Sequence, residues 1–141
     1  MLAFLNSKCV EKLLRVIAPT LDFQSGHISS LPFAEKQYPS LQISAPKCIS
    51  FSKTDWDAYE TSWDFTTLPL LSSDYRGENM AETYAKLRSN WQSMTDEMQR
   101  LEEENNNIVI DSYGLQDELT PEVPIDEITL TCNPHYRYGG N

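Results

Sequence analysis

Residues 80–107 contain neither glycine nor proline, and within them Tyr84, Leu87, Trp91, Met94, Met98 and Leu101 recur at alternating steps of three and four. Residues so spaced share one face of a helix, so the pattern predicts a long helix with a heptad seam over 80–107. The following seam positions are Asn105 and Ile108, and the apolar stripe weakens across EEENNN. The run holds few heptads for a free-standing coiled coil, so its expected partner is an antiparallel helix or a groove in the same protein. Whatever surrounds this helix must cover that seam.

Near the beginning, Leu2, Leu5, Cys9, Leu13, Val16 and Ile17 also recur at helical steps, with Lys8, Lys12 and Arg15 elsewhere on the wheel. This predicts one amphipathic helix over 2–17, stopped by Pro19. Leu21 and Phe23 alternate with polar residues, Gly26 offers a turn, and Ile28, Leu31 and Phe33 follow, so short strands are expected near 21–33. Pro39, Pro46 and several serines make 34–54 read as connection with at most short strands. After the long helix, Gly114 is a stop signal, Thr120 precedes Pro121 as an N-cap precedes a first-turn proline, and ITLTC is a strand candidate with Ile128 and Leu130 on one face. The expected fold is α+β, mostly helical, and not a complete compact domain. Its expected divisions are 1–40, a linker with an aromatic segment at 41–79, the long helix at 80–110, and an irregular spacer and tail at 111–141.

The net charge of −10 is unevenly placed: residues 1–60 hold six Lys/Arg against six Asp/Glu, whereas residues 61–141 hold five against fifteen. A general basic field for nucleic acid is therefore excluded, and any DNA contact has to be local. Cys9, Cys48 and Cys132 are odd in number and widely spaced, matching neither a disulfide framework nor a complete zinc site, which fits a reducing cytoplasm. Lys8, Glu11, Lys12 and Arg15 interrupt the apolar start before it reaches signal or membrane length, so no membrane partner is expected.

The aromatic segment DWDAYETSWDF sets Trp56, Tyr59, Trp63 and Phe65 among Asp55, Asp57, Glu60 and Asp64. Such rings can pin a segment onto a neighbouring domain, or stack on bases. Four carboxylates would repel phosphates, so docking is the reading preferred, and the seam Tyr84, Leu87, Trp91, Met94, Met98 and Leu101 is assigned to packing as well.

The sharpest chemical string is Asn133-Pro134-His135-Tyr136, because amino-methyltransferases place an Asn-Pro-Pro-Tyr loop at a strand end, where the carboxamide binds the adenine amino group and the aromatic stacks on the flipped base. Here His135 replaces the second proline. A methyl donor also needs a glycine-rich turn after a strand, and none of Gly26, Gly77, Gly114, Gly139 and Gly140 lies in such a frame. Cys132 with His135 is half of a metal site without a second pair, and no serine or cysteine has a recognisable base partner. No catalytic residue, metal ligand or cofactor site is assigned to the chain.

DWDAYETSWDF, the acidic long helix, IDSYGLQDELTPEVP and CNPHYRYGGN occur in this order in the PglX proteins, the adenine-specific DNA methyltransferases of BREX type 1 phage-defence systems, and the chain resembles that family over nearly its whole length. LNSKCVEKLLRVIAPTLDFQSGHISSLPF is also similar to target-recognition regions of the wider adenine methyltransferase and restriction-modification group, with Ala18 where Asn is common. Tyr113-Gly114-Leu115 likewise occurs in that group's specificity half. The resemblance implies a parent enzyme that transfers a methyl group from S-adenosylmethionine to adenine N6 in double-stranded DNA. It further implies that the catalytic half precedes this region, that Asn133 to Tyr136 is not the methylation motif, and that the chain is an internal fragment.

From charge placement and this resemblance together, Lys8, Lys12 and Arg15 are expected to contact phosphates, and Gln24, Ser25 and His27 to lie near base edges. The remainder is expected to dock on other domains of the methyltransferase or on other BREX proteins. Two rival readings are an acidic interaction module built on the long helix, and the specificity region of a related single-chain restriction-modification enzyme.

Overall fold

In a computed structural model, described for residues 1–19, 22–33 and 41–139 with the side chains of 41–43 excepted, the chain is mostly helical. Six α-helices are named here: α1 (Leu2–Leu5), α2 (Lys8–Ile17), α3 (Ser25–Ser29), α4 (Leu41–Asp57), α5 (Met80–Tyr113) and α6 (Pro134–Tyr138). Short 3-10 turns occur at Pro69–Leu71, Ser73–Tyr75 and Ile125–Glu127. No strand occurs among the described residues, so the β component of the expected α+β fold is absent there.

Each difference from the sequence reading has a local cause. The single helix expected over 2–17 is broken at Asn6 and Ser7. Buried Ser7 Oγ donates to the Phe4 carbonyl (2.7 Å) and accepts from the Val10 amide, which ends α1 and caps α2. Where short strands were expected, α3 forms instead. His27 Nδ1 accepts from the Gln24 amide (3.2 Å), and the Ser29 and Ser30 hydroxyls donate to the Ser25 and His27 carbonyls. Local polar side chains thus satisfy the backbone that a partner strand would have had to satisfy. Leu21 lies outside the described residues.

Helix α4 occupies ground expected to be connection. Pro46 lies inside it, near its beginning, where its missing amide costs one bond. The inward positions Ser44, Cys48, Phe51 and Asp55 are spaced four, three and four apart, a helical stripe hidden by its two polar ends. Helix α5 starts as expected, with Asn79 Oδ1 accepting from the Glu82 amide and the Glu82 carboxylate accepting from the Glu78 amide. It runs past 107 to Tyr113 and stops in a Schellman turn. The Leu115 amide reaches the Ile110 carbonyl (3.1 Å), the Gly114 amide reaches Asp111 (3.2 Å), and Gly114 takes φ +67°. The tyrosine-glycine-leucine string is therefore a helix stop, with glycine required by the left-handed backbone.

The chain forms two compact units, residues 1–46 with 101–122 and residues 47–100 with 123–141. In the first, Phe4, Cys9, Val10, Leu14, Leu31 and Val109 form the core, and the Phe4 ring lies 5.0 Å from that of Phe33 and 6.1 Å from that of Tyr113. In the second, Met94, Met98, Val123, Ile128 and Leu130 are buried with Phe51 and Trp91 packed against them. Ile128 and Leu130 are both buried, as their alternation predicts, but in a tight turn in which the Leu130 amide donates to the Ile128 carbonyl (2.8 Å), and not in a strand. No described helix is long and apolar enough to cross a membrane.

Candidate nucleic-acid interface

Helix α2 buries Cys9, Val10 and Leu14 and turns Lys12 and Arg15 to solvent. Helix α3 packs beside it, with Gln24, Ser25 and Gly26 exposed and His27 half-buried. The cationic side chains are not equivalent. Lys12 is exposed. Arg15 pairs with Glu11 one turn away (2.8 Å), with both side chains at least half exposed. Lys8 is a structural tie: its ammonium donates to the Glu122 carbonyl, and its amide donates to Asn106 Oδ1 (3.0 Å). His27 carries the backbone bond that begins α3, so its ring position is set by its own helix.

Of the residues expected to dock, Trp56 and Trp63 stand out of the surface, at 57% and 102% exposure, while Tyr59 and Phe65 are half-buried. On α5, Leu87, Met94, Met98 and Leu101 are buried, Trp91 is half-buried and Tyr84 is exposed. The stripe does not fade at EEENNN, because Asn105, Asn106, Val109 and Ile110 are all buried. Asn105 Nδ2 donates to the Ala3 carbonyl (2.9 Å) and Asn106 Nδ2 to the Pro121 carbonyl (3.0 Å). Carboxamides at these positions hold the start of the chain and the 115–122 segment to the end of α5.

Two further polar residues organise the second unit. Buried Asp55, on the inward stripe of α4, accepts from the Thr131 amide (2.6 Å) and the Cys132 amide (2.9 Å). Burial, and then the nearby Asp55 carboxylate, push the Cys132 thiol up to about 12, so it stays protonated. The α4 spacing could have revealed Asp55, had Pro46 not broken the pattern. Asn133 is fully buried and bonded at both ends: its Nδ2 donates to the Ile125 (2.7 Å) and Ile128 (2.9 Å) carbonyls, while Oδ1 accepts from the His135 amide (3.1 Å). With Pro134 in the first turn, Asn133 is the N-cap of α6, and its fully buried carboxamide, with both N–H donors used, is out of reach of a base. Among the described residues no three His, Cys, Asp or Glu side chains cluster as metal ligands.

No protein-family model matches the chain. It is 40% identical over 138 residues to the adenine-specific methyltransferase PglX of Lacticaseibacillus casei (strain Zhang), which covers 92% of the chain and 11% of that protein. It is 33% identical over 138 residues to the adenine-specific methyltransferase BrxX of Escherichia coli O9:H4 (strain HS), covering 98% of the chain and again 11% of that protein. The chain thus spans about a tenth of the length of the curated relatives it matches. By sequence the chain corresponds to one segment of the adenine-specific methyltransferases PglX and BrxX.

Proposed function

We propose that the chain is a DNA-positioning and docking segment of an adenine-specific DNA methyltransferase of a BREX phage-defence system. In this reading, transfer of the methyl group from S-adenosylmethionine to adenine N6 is carried by other parts of the enzyme. The observation that carries the reading is the similarity of nearly the whole chain to one stretch of PglX and BrxX. The exposed α2–α3 surface suits the DNA contact. Lys12 and Arg15 face solvent as phosphate contacts, and Gln24 and Ser25 are exposed on the adjoining short helix. Lys8, engaged with the Glu122 carbonyl, contributes by fixing α2 and reaches a phosphate only by exchanging that bond. Phosphate contacts set affinity for every sequence, whereas base-edge contacts set preference.

The docking reading is kept for the aromatic segment, because Trp56 and Trp63 leave large apolar rings in water. That region docks on other domains of the methyltransferase or on other proteins of the defence system.

Methylome sequencing of cells carrying the full-length enzyme tests the DNA role. Lys12→Ala and Arg15→Ala should lower methylation at all sites, and Gln24→Ala or His27→Ala should shift site preference by about 1–3 kcal/mol per lost base contact. An unchanged motif and an unchanged level across all four would remove α2 and α3 from the DNA interface.

A further inference from the structure

The second unit contains a cleft of about 260 Å³ whose walls carry Tyr59, Tyr84, Trp91 and Tyr138 together with Arg88 and Arg137, and no carboxylate lines it. Its charge is opposite to its surroundings, since the unit that holds it, residues 47–100 and 123–141, carries eleven acids and seven bases. Of those seven, Lys47 and Arg100 are paired with Glu97, Lys53 with Asp57 and Asp64, and Lys86 with Glu82, whereas Arg88 and Arg137 form no ion pair among the described residues and both face the cleft. The Arg137 guanidinium lies 5.7 Å from the Tyr59 ring centre and 5.6 Å from that of Tyr138. Two rings therefore flank the guanidinium while its N–H groups remain available to an anion.

Two unpaired guanidiniums among four aromatic rings suit a ligand that is both planar and anionic. The volume lies just below the ~300 Å³ at which ordinary ligand pockets begin, which limits the occupant to one small ring system and its charge. The acidic surroundings oppose an extended polyanion but leave a single phosphate at the two arginines favourable. We propose that this cleft is a binding site for one nucleoside monophosphate unit, with the base against the rings and the phosphate between Arg88 and Arg137. The unit is either a free nucleotide or one unpaired nucleotide of a strand. This site is separate from the α2–α3 surface, so either can fail without the other.

The test is calorimetry on the 141-residue chain at low salt. The probes are deoxyadenosine monophosphate, deoxyadenosine, inorganic phosphate, and a duplex with one unpaired adenosine beside its fully paired control. The monophosphate should bind at least about tenfold more tightly than deoxyadenosine or phosphate alone, since stacking and charge each contribute. Arg88→Gln with Arg137→Gln, both exposed positions, should remove that binding without moving the thermal unfolding midpoint. Tyr84→Ala should weaken the monophosphate and leave phosphate binding unchanged. Preference for the bulged duplex over its control assigns the unit to a strand, and tight binding of the monophosphate alone assigns it to a free nucleotide; both support the site. Phosphate binding as tightly as the monophosphate, displacement of the monophosphate by an equal concentration of a glutamate-rich peptide, or binding untouched by the double substitution would each overturn it.

Discussion

The two units meet the same demand with different chemistry. Each must fasten irregular chain to a helix without leaving buried backbone groups unpaired. In the first unit neutral carboxamides do this, with Asn105 holding the Ala3 carbonyl and Asn106 bridging the Lys8 amide and the Pro121 carbonyl. In the second, the Asp55 carboxylate gathers the Thr131 and Cys132 amides, and Asn133 closes the turns before α6. A carboxylate only accepts, and its bonds are strengthened by charge; a carboxamide donates and accepts, and so fixes orientation. The second unit should therefore depend more steeply on its one acidic tie than the first depends on either asparagine.

The largest effect is expected from Asp55→Ala, which strands two partly buried amides that the buried carboxylate had held and should cost about 3 kcal/mol in urea unfolding. A loss below about 1 kcal/mol would break the contrast between the units. In the first unit, Asn106→Leu should cost about 2 kcal/mol, because it removes both an acceptor and a donor. Asn105→Leu should stay within about 1 kcal/mol: Asn105 Oδ1 is buried without a hydrogen-bond partner among the described residues, and apolar burial on the seam offsets the lost bond to Ala3. Equal costs at the two positions would show that the carboxamides act as a single network.

How far the sequence disclosed these ties depends on whether their residues advertised a face. The seam at Leu87, Met94, Met98 and Leu101 was legible because apolar spacing alone defines it. Asn105 fell on the next seam position and looked like weakening, since a sequence shows polarity but not the carbonyl waiting opposite. Helix α4 was missed because its stripe begins and ends on Ser44 and Asp55 and carries Pro46. Alternation at Ile128 and Leu130 indicated two buried side chains, which is what forms, but it could not show that the Leu130 amide turns back to the Ile128 carbonyl instead of pairing with a strand. At the candidate interface, the exposure of Lys12 and Arg15 followed from the wheel, whereas the use of Lys8 to hold Glu122 depends on a residue far away in the chain.

A smaller difference between the units should appear in acid. In the second unit Arg100 and Lys47 hold the Glu97 carboxyl at about 2, below its usual 4.5, and Lys53 and Ser62 lower that of Asp57. A depressed carboxyl adds stability that is present above its unfolded value and lost as pH falls through the folded one, so for Glu97 the loss runs from 4.5 down to about 2. The carboxamides of the first unit do not titrate. Hydrogen exchange followed over that range should show the second unit loosening first, by a small margin because these pairs are exposed. Lys47→Gln should narrow the difference, and earlier loosening of the first unit would contradict it.

The proposed role in holding DNA is tested most directly by the salt dependence of duplex binding by the full-length enzyme, with and without Lys12→Ala plus Arg15→Ala. Each phosphate contact contributes about 0.9 to the slope of log affinity against log salt, so the double substitution should flatten that slope by about 2 and weaken binding to every sequence alike. An unchanged slope and an unchanged affinity would contradict the assignment of α2 to the DNA backbone.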